Sequence, residues 1–249
     1  MFVQPVDQAA VDRTVEIVKN GLESNSERLA ACIDLVRLHV PQGPLLDVGA
    51  GAGAFLARIN ELLPGSSGVE LTPVLYEICR RAGLQISRDP LESTQWDSRR
   101  GAFGAVSMWD VIEHVNDPLA LCRRARELLC DGGVLLMDTP TRDGLLYRVG
   151  EATAMLSGGR FLTSLGIQYS PKPFSHKQIF RKIDMRRMLD AAGFSSVSIV
   201  EKKELSFPVR FYLQSLLKSR ALIRLFEGPV EALLRLVRFK NKMIVVAAK

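Results

Sequence analysis

Short apolar strands alternate with helices along most of this chain, and that alternation limits its fold more than any other feature. The clearest unit is the strand Leu45–Val48, a glycine-rich turn at 49–53 and a helix at 55–63. Further strands are predicted at 67–71, 84–87, 105–109, 134–138, 197–200 and 243–247. Strands separated by helices of about 8–12 residues form a parallel sheet that is covered on both faces. The sequence therefore predicts an α/β fold with a mostly parallel sheet, and ligands are expected beyond the carboxyl ends of its strands.

Three helical segments interrupt the alternation within what we predict to be a single domain of residues 1–249. They are an N-terminal helical cap at 1–43, an insertion or lid at 141–180 and a helical insertion at 207–240. Gly228 and Pro229 predict a break in the last segment, because proline cannot donate a helical hydrogen bond. Both insertions mix apolar side chains with Arg and Lys. This composition fits packing on the sheet or on a dimer partner, and it also fits a lid over an apolar acceptor or contact with anionic lipid.

Positive charge is concentrated near the C-terminal end of the chain. Residues 201–249 hold eleven Lys and Arg against four Asp and Glu, whereas residues 1–200 carry a balance of −1. A basic segment suits an anionic membrane surface, an acidic partner or a nucleic acid. Solvated helix faces explain the same charges equally well.

The four cysteines, Cys32, Cys79, Cys122 and Cys130, form no CxxC pair and lie in apolar or helical stretches. Buried free thiols in a reducing compartment explain them better than disulfides or a metal site. The N-terminus shows no secretory signal, and no apolar run approaches the ~18–20 residues of a spanning helix. We therefore expect a cytoplasmic protein, with peripheral membrane contact through 207–240 left open.

The turn after the first strand carries the main functional signal. Gly49, Gly51 and Ala54 match the G-x-G-x-x-G/A pattern of NAD-binding proteins, so the glycine spacing alone does not choose between NAD and S-adenosylmethionine (SAM). Asp47 favours SAM, because a carboxylate is unfavourable beside a pyrophosphate but suits the cationic methionyl end of SAM. Glu70, at the end of the second strand, can accept hydrogen bonds from both ribose hydroxyls of a nucleoside.

Five segments resemble, in order, the motifs of class I SAM-dependent methyltransferases. They are 45–56 (LLDVGAGAGAFL), 68–72 (GVELT), 103–118, 128–140 and 188–194. The third, which contains DVIEHVNDP, is especially similar to the ubiquinone-biosynthesis O-methyltransferases and their broad relatives (methyltransferase type 11/23). The resemblance implies a Rossmann-like seven-stranded sheet with helices on both faces and an antiparallel last strand.

The resemblance also implies where SAM binds. Contacts are expected at the following residues: Asp47, Gly49, Gly51, Gly53, Glu70, Leu71, Met108, Trp109 and Asp110. Asp89 follows the third strand, where family members often place an acid near the adenine amino group, although a turn-forming Asp-Pro explains it about as well. Residues 108–111 (MWDV) replace the D/N-P-P-Y/F/W sequence of enzymes that methylate base amines. We therefore expect a small-molecule or lipid-like acceptor and no nucleic acid.

Methylation of an oxygen atom benefits from a general base, and histidine is the usual one near neutral pH. His114, after the fourth strand, is the preferred catalytic candidate, and His176 in the first insertion is the second. His114 is also explained as a structural residue near a helix start, and His39 as a surface residue at a helix end. Glu113 could orient His114, line the pocket or favour the helix start.

We expect no bound metal, because no carboxylate cluster has the spacing of catechol methyltransferases, although Asp110 and Asp138 could approach one. The leading hypothesis is SAM-dependent methyl transfer, to oxygen, on a small or lipophilic acceptor. The alternatives are an NAD-binding oxidoreductase and a non-enzymatic methyltransferase-like module that binds a membrane or a partner. A homodimer is left open.

Overall fold

The computed structural model describes residues 7–19, 26–40, 42–160, 169, 176–202, 209–217, 219–236 and 240–249. Parts of the predicted cap and of both insertions therefore lie outside the described residues. The helices are α1 (Gln8–Lys19), α2 (Ser26–His39), α3 (Ala54–Leu62), α4 (Pro73–Arg81), α5 (Pro118–Leu128), α6 (Leu145–Leu156), α7 (Lys182–Ala192), α8 (Val209–Leu216) and α9 (Arg220–Leu236). The strands are β1 (Leu45–Val48), β2 (Ser67–Val69), β3 (Ile86–Ser87), β4 (Phe103–Trp109), β5 (Leu129–Pro140), β6 (Ser196–Lys202) and β7 (Lys242–Ala248). Short 3₁₀ helices cover Thr94–Arg99 and Ile112–His114.

The seven strands form one sheet in the order β3-β2-β1-β4-β5-β7-β6. β7 runs antiparallel to both of its neighbours, β5 and β6, whereas the other described strand pairs are parallel, which confirms the predicted antiparallel last strand. The chain moves outward from β1 to β2 and β3, then returns to β4 on the other side of β1. This reversal creates a crevice at the carboxyl ends of β1 and β4, where open α/β sheets bind their ligands.

The predicted strands are confirmed in position, but several differ in length. The strand predicted at 134–138 extends over Leu129–Pro140, because it pairs with β4 on one side and β7 on the other. The strand predicted at 84–87 shortens to Ile86–Ser87 at the edge of the sheet, where only β2 pairs with it. Pairing partners that are distant in sequence set these ends, so the local pattern could not place them.

The predicted break at Gly228 and Pro229 is wrong. Helix α9 runs through Pro229, and the interruption between α8 and α9 lies near residue 217. Proline removes one hydrogen bond to the carbonyl four residues earlier, here Leu225. Leu225 is 63% exposed, so the hydrogen bond that α9 loses lies on a side of the helix that faces solvent.

The core lies on both faces of the sheet. On one face α5 and α7 pack against the central strands through residues such as Leu121 and Met185, and on the other α2 and α3 pack through Val36 and Ile59. Helix α1 packs on α4 and is joined to it by an ion pair between Asp12 and Arg81 at 2.7 Å. The N-terminal helices are therefore attached to the half of the domain that carries β1 and β2.

Both insertions leave the sheet at one point. Pro140 ends β5 and is paired with Lys242, which begins β7. The Thr141 amide donates to the Asn241 carbonyl at 3.0 Å, so the start of α6 lies against the end of the second insertion. Helices α8 and α9 pack on each other through a separate cluster that includes Val209 and Ile223. Among the described helices, none is both long and apolar enough to cross a membrane.

Candidate functional site

The glycine turn after β1 has a backbone that only glycine adopts easily. Gly49, Gly51 and Gly53 have φ values of 77°, 59° and 88°, in the left-handed region that L-residues avoid. A Cβ atom on Gly49 would lie 2.6 Å from Cγ2 of Val111, and one on Gly53 would lie 2.5 Å from Cδ1 of Leu84. No atom lies within 4 Å of a Cβ built on Gly51. The turn is therefore tight on its protein side and open at Gly51.

Asp47 is a buried carboxylate at the base of this turn, only 1% exposed. The Ser107 hydroxyl, on the neighbouring strand β4, donates to Oδ1 of Asp47 at 2.7 Å. Burial, with a smaller contribution from the charge of Glu70, raises the pKa of Asp47 to about 7 despite this hydrogen bond. A bound cation would reverse this cost, so the base of the turn is suited to a positively charged ligand.

Glu70 is held in place by backbone donors on both sides. Its Oε2 accepts from the Gly51 amide at 2.9 Å, and its Oε1 accepts from the Thr72 amide at 2.7 Å. Each carboxylate oxygen has a second lone pair, so both can still accept from a ligand hydroxyl. Leu71, next in sequence, leaves 55% of its surface exposed. A nucleoside would find a preorganised acceptor pair beside an apolar side chain here.

Asp89 lies at the end of the neighbouring strand β3. The Glu70 amide donates to the Ser87 carbonyl at 3.0 Å, which brings this strand end beside Glu70. Oδ2 of Asp89 accepts from the Ser87 hydroxyl at 2.8 Å, and the Asp89 amide donates back to that hydroxyl at 3.0 Å. The side chain thus stabilises its own turn, and its role toward adenine stays a prediction.

A cavity of about 260 Å³ opens beside the glycine turn. Its lining is Arg28, Leu29, Cys32, Asp47, Gly49, Ala50, Gly51, Ala52, Ala54, Phe55 and Trp109. Phe55 and Trp109 meet edge to face with ring centroids 5.4 Å apart and form its apolar wall. Met108 is fully buried in β4 and is not among the residues that line this cavity, so its contact with SAM stays a prediction. Glu70, Leu71 and Asp89 lie outside this cavity, at the ends of the adjacent strands.

Arg28 is a lining residue that no local sequence signal identified. It comes from α2, and its Nη2 lies 2.7 Å from Oδ2 of Asp110 and 3.3 Å from Oδ1 of Asp138. Only the packing of α2 on the sheet brings these residues together, 82 positions apart for Arg28 and Asp110. Arg28 and Asp47 both line the cavity, so it can bind a ligand that carries both signs of charge.

Asp110 forms ion pairs with Arg28 and with the buried Lys242. It has a φ of 54°, the one positive value among the described residues other than glycine. Nζ of Lys242, itself 2% exposed, lies 2.6 Å from Oδ1 of Asp110 and 3.5 Å from Oδ2 of Asp138. Burial opposes ionisation of Asp110, but the charges of Lys242 and Arg28 outweigh it and lower its pKa. Because cations already neutralise both carboxylates, this pair does not offer a metal site.

The two predicted catalytic histidines meet, although 61 residues separate them in the sequence. The ring centroids of His114 and His176 lie 5.0 Å apart. The amides of Lys177 and Gln178 donate to the Glu113 carbonyl at 2.8 and 3.3 Å, which attaches the end of the first insertion to the segment after β4. The fold thus places both candidates in one cluster.

Glu113 completes this cluster. Its side chain is fully buried, and Oε2 accepts from the Thr139 hydroxyl at 3.0 Å. Oε1 is buried and has no hydrogen-bond partner among the described residues. Burial raises the pKa of Glu113, and the charge of Asp110 adds to the effect. Ligand atoms of Glu113, His114 and His176 all lie within 4.8 Å of one another. The three can exchange a proton or share a divalent cation, although the sequence predicted no metal.

Comparisons with known proteins agree with this geometry. The family model described as "Methyltransferase domain" matches residues 22–199. The ubiquinone biosynthesis O-methyltransferase of Xanthomonas campestris pv. campestris is 32% identical over 117 residues, covering 43% of this chain and 46% of that protein. The chain thus spans about half the length of the curated relatives it matches.

Solved structures share the fold. A SAM-dependent methyltransferase from Archaeoglobus fulgidus has a TM-score of 0.58 at 16% identity and covers 93% of this chain and 97% of that chain. Geranyl diphosphate C-methyltransferase from Streptomyces coelicolor A3(2) has a TM-score of 0.55 at 15% identity and covers 88% of this chain and 75% of that chain. Since the family match covers more than half of the residues and the strand order and glycine turn agree with it, this chain belongs to the methyltransferase domain family of class I SAM-dependent methyltransferases.

Proposed function

We propose that this protein transfers the methyl group of SAM to an oxygen atom of a small or lipophilic acceptor. The observation that supports the proposal best is the cluster of Glu113, His114 and His176 directly after β4, the strand whose last residue, Trp109, lines the cofactor cavity. A hydroxyl acceptor needs a base beside the methyl donor, and this cluster supplies imidazole nitrogens there. The name of the Xanthomonas relatives favours oxygen over nitrogen or carbon.

The described residues fit SAM along its length. Glu70 would accept the ribose hydroxyls, and Leu71 would pack against the base. Asp47 would face the cationic methionyl end, and Arg28 would bind its carboxylate. The open side of Gly51 leaves room for the ligand to lie against the backbone. Asp47 lies buried at the base of the turn, where the negative charge of a pyrophosphate would be unfavourable, which argues against the NAD alternative.

Bound SAM supplies a methyl carbon that is activated by a positively charged sulfur. The protein's part is to orient the acceptor, exclude water and remove one proton. We assign proton removal to a ring nitrogen of His114, which would take the hydroxyl proton as the oxygen–carbon bond forms and the carbon–sulfur bond breaks, leaving S-adenosylhomocysteine. His176 and Glu113 would hold His114 in position.

Asp47→Asn is expected to separate stability from cofactor binding. The raised pKa means that folded, ligand-free protein holds a proton that the unfolded chain has lost, so stability falls as pH rises from about 4 to about 7. This difference in pKa between the folded and the unfolded protein corresponds to a decrease of roughly 4 kcal/mol in the free energy of unfolding. The Asn variant should remove this slope, raise the melting temperature at neutral pH, and weaken SAM binding.

The same titration should make SAM binding depend on pH. Binding needs the charged form of Asp47, so affinity should fall by up to about tenfold for each unit below pH 7. Calorimetric titrations at several pH values would measure this, with Asp47→Asn as the control that lacks the dependence. A wild-type affinity that stays constant from about pH 5.5 to 7 would contradict the ionic role of Asp47.

Arg28→Gln is expected to weaken SAM binding about tenfold, since a charge-assisted hydrogen bond contributes roughly 1.5–3 kcal/mol. Lys242 still neutralises Asp110 in this variant, so the fold should persist. Arg37→Gln is the matched control, because Arg37 lies on the same helix with 61% of its side chain exposed. Equal SAM affinities for the two variants would show that Arg28 does not bind SAM.

The proposed activity is tested by incubating the protein with SAM and a panel of phenols, catechols, hydroxylated quinones and sugars. Mass spectrometry would follow both the methylated product and S-adenosylhomocysteine. Parallel titrations with SAM and NADH separate the enzyme classes. Tight NADH binding without SAM binding would support the oxidoreductase, whereas SAM binding without turnover on any acceptor would support the non-enzymatic alternative.

We also propose that the 207–240 segment contacts a membrane peripherally from the cytoplasmic side, in preference to a homodimer. Leu222, Leu225 and Phe226 share one face of α9 and are 43%, 63% and 44% exposed. The opposite face of α9 packs on α8 through Ile223. The high positive charge of residues 201–249 would repel a second copy of the same segment but attract anionic lipid.

A further inference from the structure

Helix α6 carries an apolar surface that the domain leaves uncovered. Leu145, Val149 and Leu156 lie on one side of the helix and are 47%, 50% and 89% exposed, and the adjacent Met155 is 79% exposed. Leu156 and Met155 are the two most exposed large apolar side chains in the described part of the chain. Tyr147, on the opposite side, is buried, so the helix is fixed with this apolar face outward. We call these four exposed residues the α6 stripe.

A basic groove lies beside the α6 stripe, between α6, the start of α7 and β6. Its volume is about 800 Å³. The charged lining residues are Arg142, Arg148, Arg181, Lys182 and Arg186 against Asp143, Glu151 and Glu201. Five cations and three carboxylates leave a net charge of +2.

Carboxylates of the groove already form ion pairs with two of its five cations. Arg142 contacts Glu151 at 2.5 Å, and Nζ of Lys182 lies 3.2 Å from Glu201. Asp143 accepts from the Lys182 amide at 2.8 Å and so already caps the start of α7. These three contacts lie within the lining of the groove. Because Asp143 already caps the start of α7, that helix start is not the source of the positive potential of the groove.

Three of the five cations have no carboxylate partner in the described ranges: Arg186, whose Nη1 donates to the Val197 carbonyl at 2.8 Å, and the pair Arg148 and Arg181. Both are exposed, and neither pairs with a carboxylate in the described ranges of the chain. Arg148 follows Leu145 by three residues, so it stands directly beside the α6 stripe on the helix surface. An arginine binds phosphate oxygens through two parallel N–H donors. The groove therefore presents phosphate-binding groups next to an uncovered apolar surface.

We propose that this groove binds the phosphate headgroups of anionic phospholipids in a bilayer, while the α6 stripe enters the adjoining acyl region. An anionic bilayer presents phosphate groups and acyl chains side by side, which matches the groove and the adjoining α6 stripe. A free anion would use the groove but leave the stripe exposed, and a second copy would bring five more cations to the same place. The site lies on a different element from α9 and is separate from methyl transfer, so its test needs no turnover.

The test is co-sedimentation of the full chain with vesicles of phosphatidylcholine alone or mixed with phosphatidylglycerol. Wild type should prefer the anionic vesicles. Arg148→Gln combined with Arg181→Gln should lower the affinity for anionic vesicles about thirtyfold. Each cation near an anionic surface strengthens binding roughly fivefold, and two of them are removed. Val149→Ser combined with Leu156→Ser should weaken binding to both vesicle types. Arg37→Gln and Leu38→Ser are matched controls, since Leu38 is 76% exposed on α2.

SAM affinity, measured on every variant, confirms that each is folded. The proposal is overturned if the anionic preference survives removal of Arg148 and Arg181, or if only Leu225→Ser with Phe226→Ser abolishes vesicle binding. Inorganic phosphate that binds as tightly as the vesicles would show a free-anion site instead. A dimer in light scattering that Leu156→Ser dissociates would show that a second copy covers the stripe.

Discussion

Glu70→Ala is expected to raise the Kd for SAM at least about a hundredfold. An ionised carboxylate that accepts two ribose hydroxyls contributes roughly 1.5–3 kcal/mol per hydrogen bond, and about 3 kcal/mol corresponds to a hundredfold change. The loss is larger than that of the ligand bonds alone, because Oε2 and Oε1 also fix the amides of Gly51 and Thr72. Without the carboxylate, two amide donors lose their partners and the glycine turn loses its anchor to β2.

Isothermal titration calorimetry measures this effect, with circular dichroism melting as the check on folding. Glu70→Gln is the graded control: it keeps one acceptor oxygen but turns an amide group toward the Gly51 or Thr72 donor, so its loss should be intermediate. Glu77→Ala, on the exposed surface of α4, should leave SAM binding unchanged. A folded Glu70→Ala protein with wild-type affinity would contradict both the ribose assignment and the choice of SAM as cofactor.

His114→Ala is expected to lower kcat by about a hundredfold to ten-thousandfold while leaving the Kd for SAM nearly unchanged. General-base catalysis contributes roughly this range, and His114 does not line the cofactor cavity. His176→Ala should have a smaller effect if it orients His114. The assay is initial-rate release of S-adenosylhomocysteine with the best acceptor found in the panel.

Two controls make the result for His114 specific. His39→Ala removes the third histidine, at the end of α2, and should have no effect. Activity that survives chelation by EDTA would support a base that works without metal, since Glu113, His114 and His176 have the spacing of a metal site. If His114→Ala and His176→Ala are both as active as wild type, proton removal must be assigned elsewhere.

The sequence predicted the sheet and the cofactor side of the site because both depend on local signals. Strand periodicity located all seven strands, and the glycines at 49, 51 and 53 marked positions where φ must be positive. Asp47 and Glu70 lie at fixed short distances from that turn, so a carboxylate at each place indicated a cationic nucleoside. The predicted helix break at Pro229 was wrong, because the hydrogen bond that proline removes lies on a side of α9 that faces solvent, and this exposure is a tertiary property.

By itself, the sequence determined the sheet, the glycine turn and the two carboxylates, since neighbouring residues specify all of them through backbone geometry. Tertiary structure alone decided which distant charges meet. It brought Arg28 from α2 and Lys242 from β7 onto Asp110, and His176 onto Glu113 and His114. It also decided that the apolar side of α6 faces outward beside an arginine groove. Such contacts follow from how helices pack on the sheet, and packing depends on many weak contacts along the chain that no short pattern records.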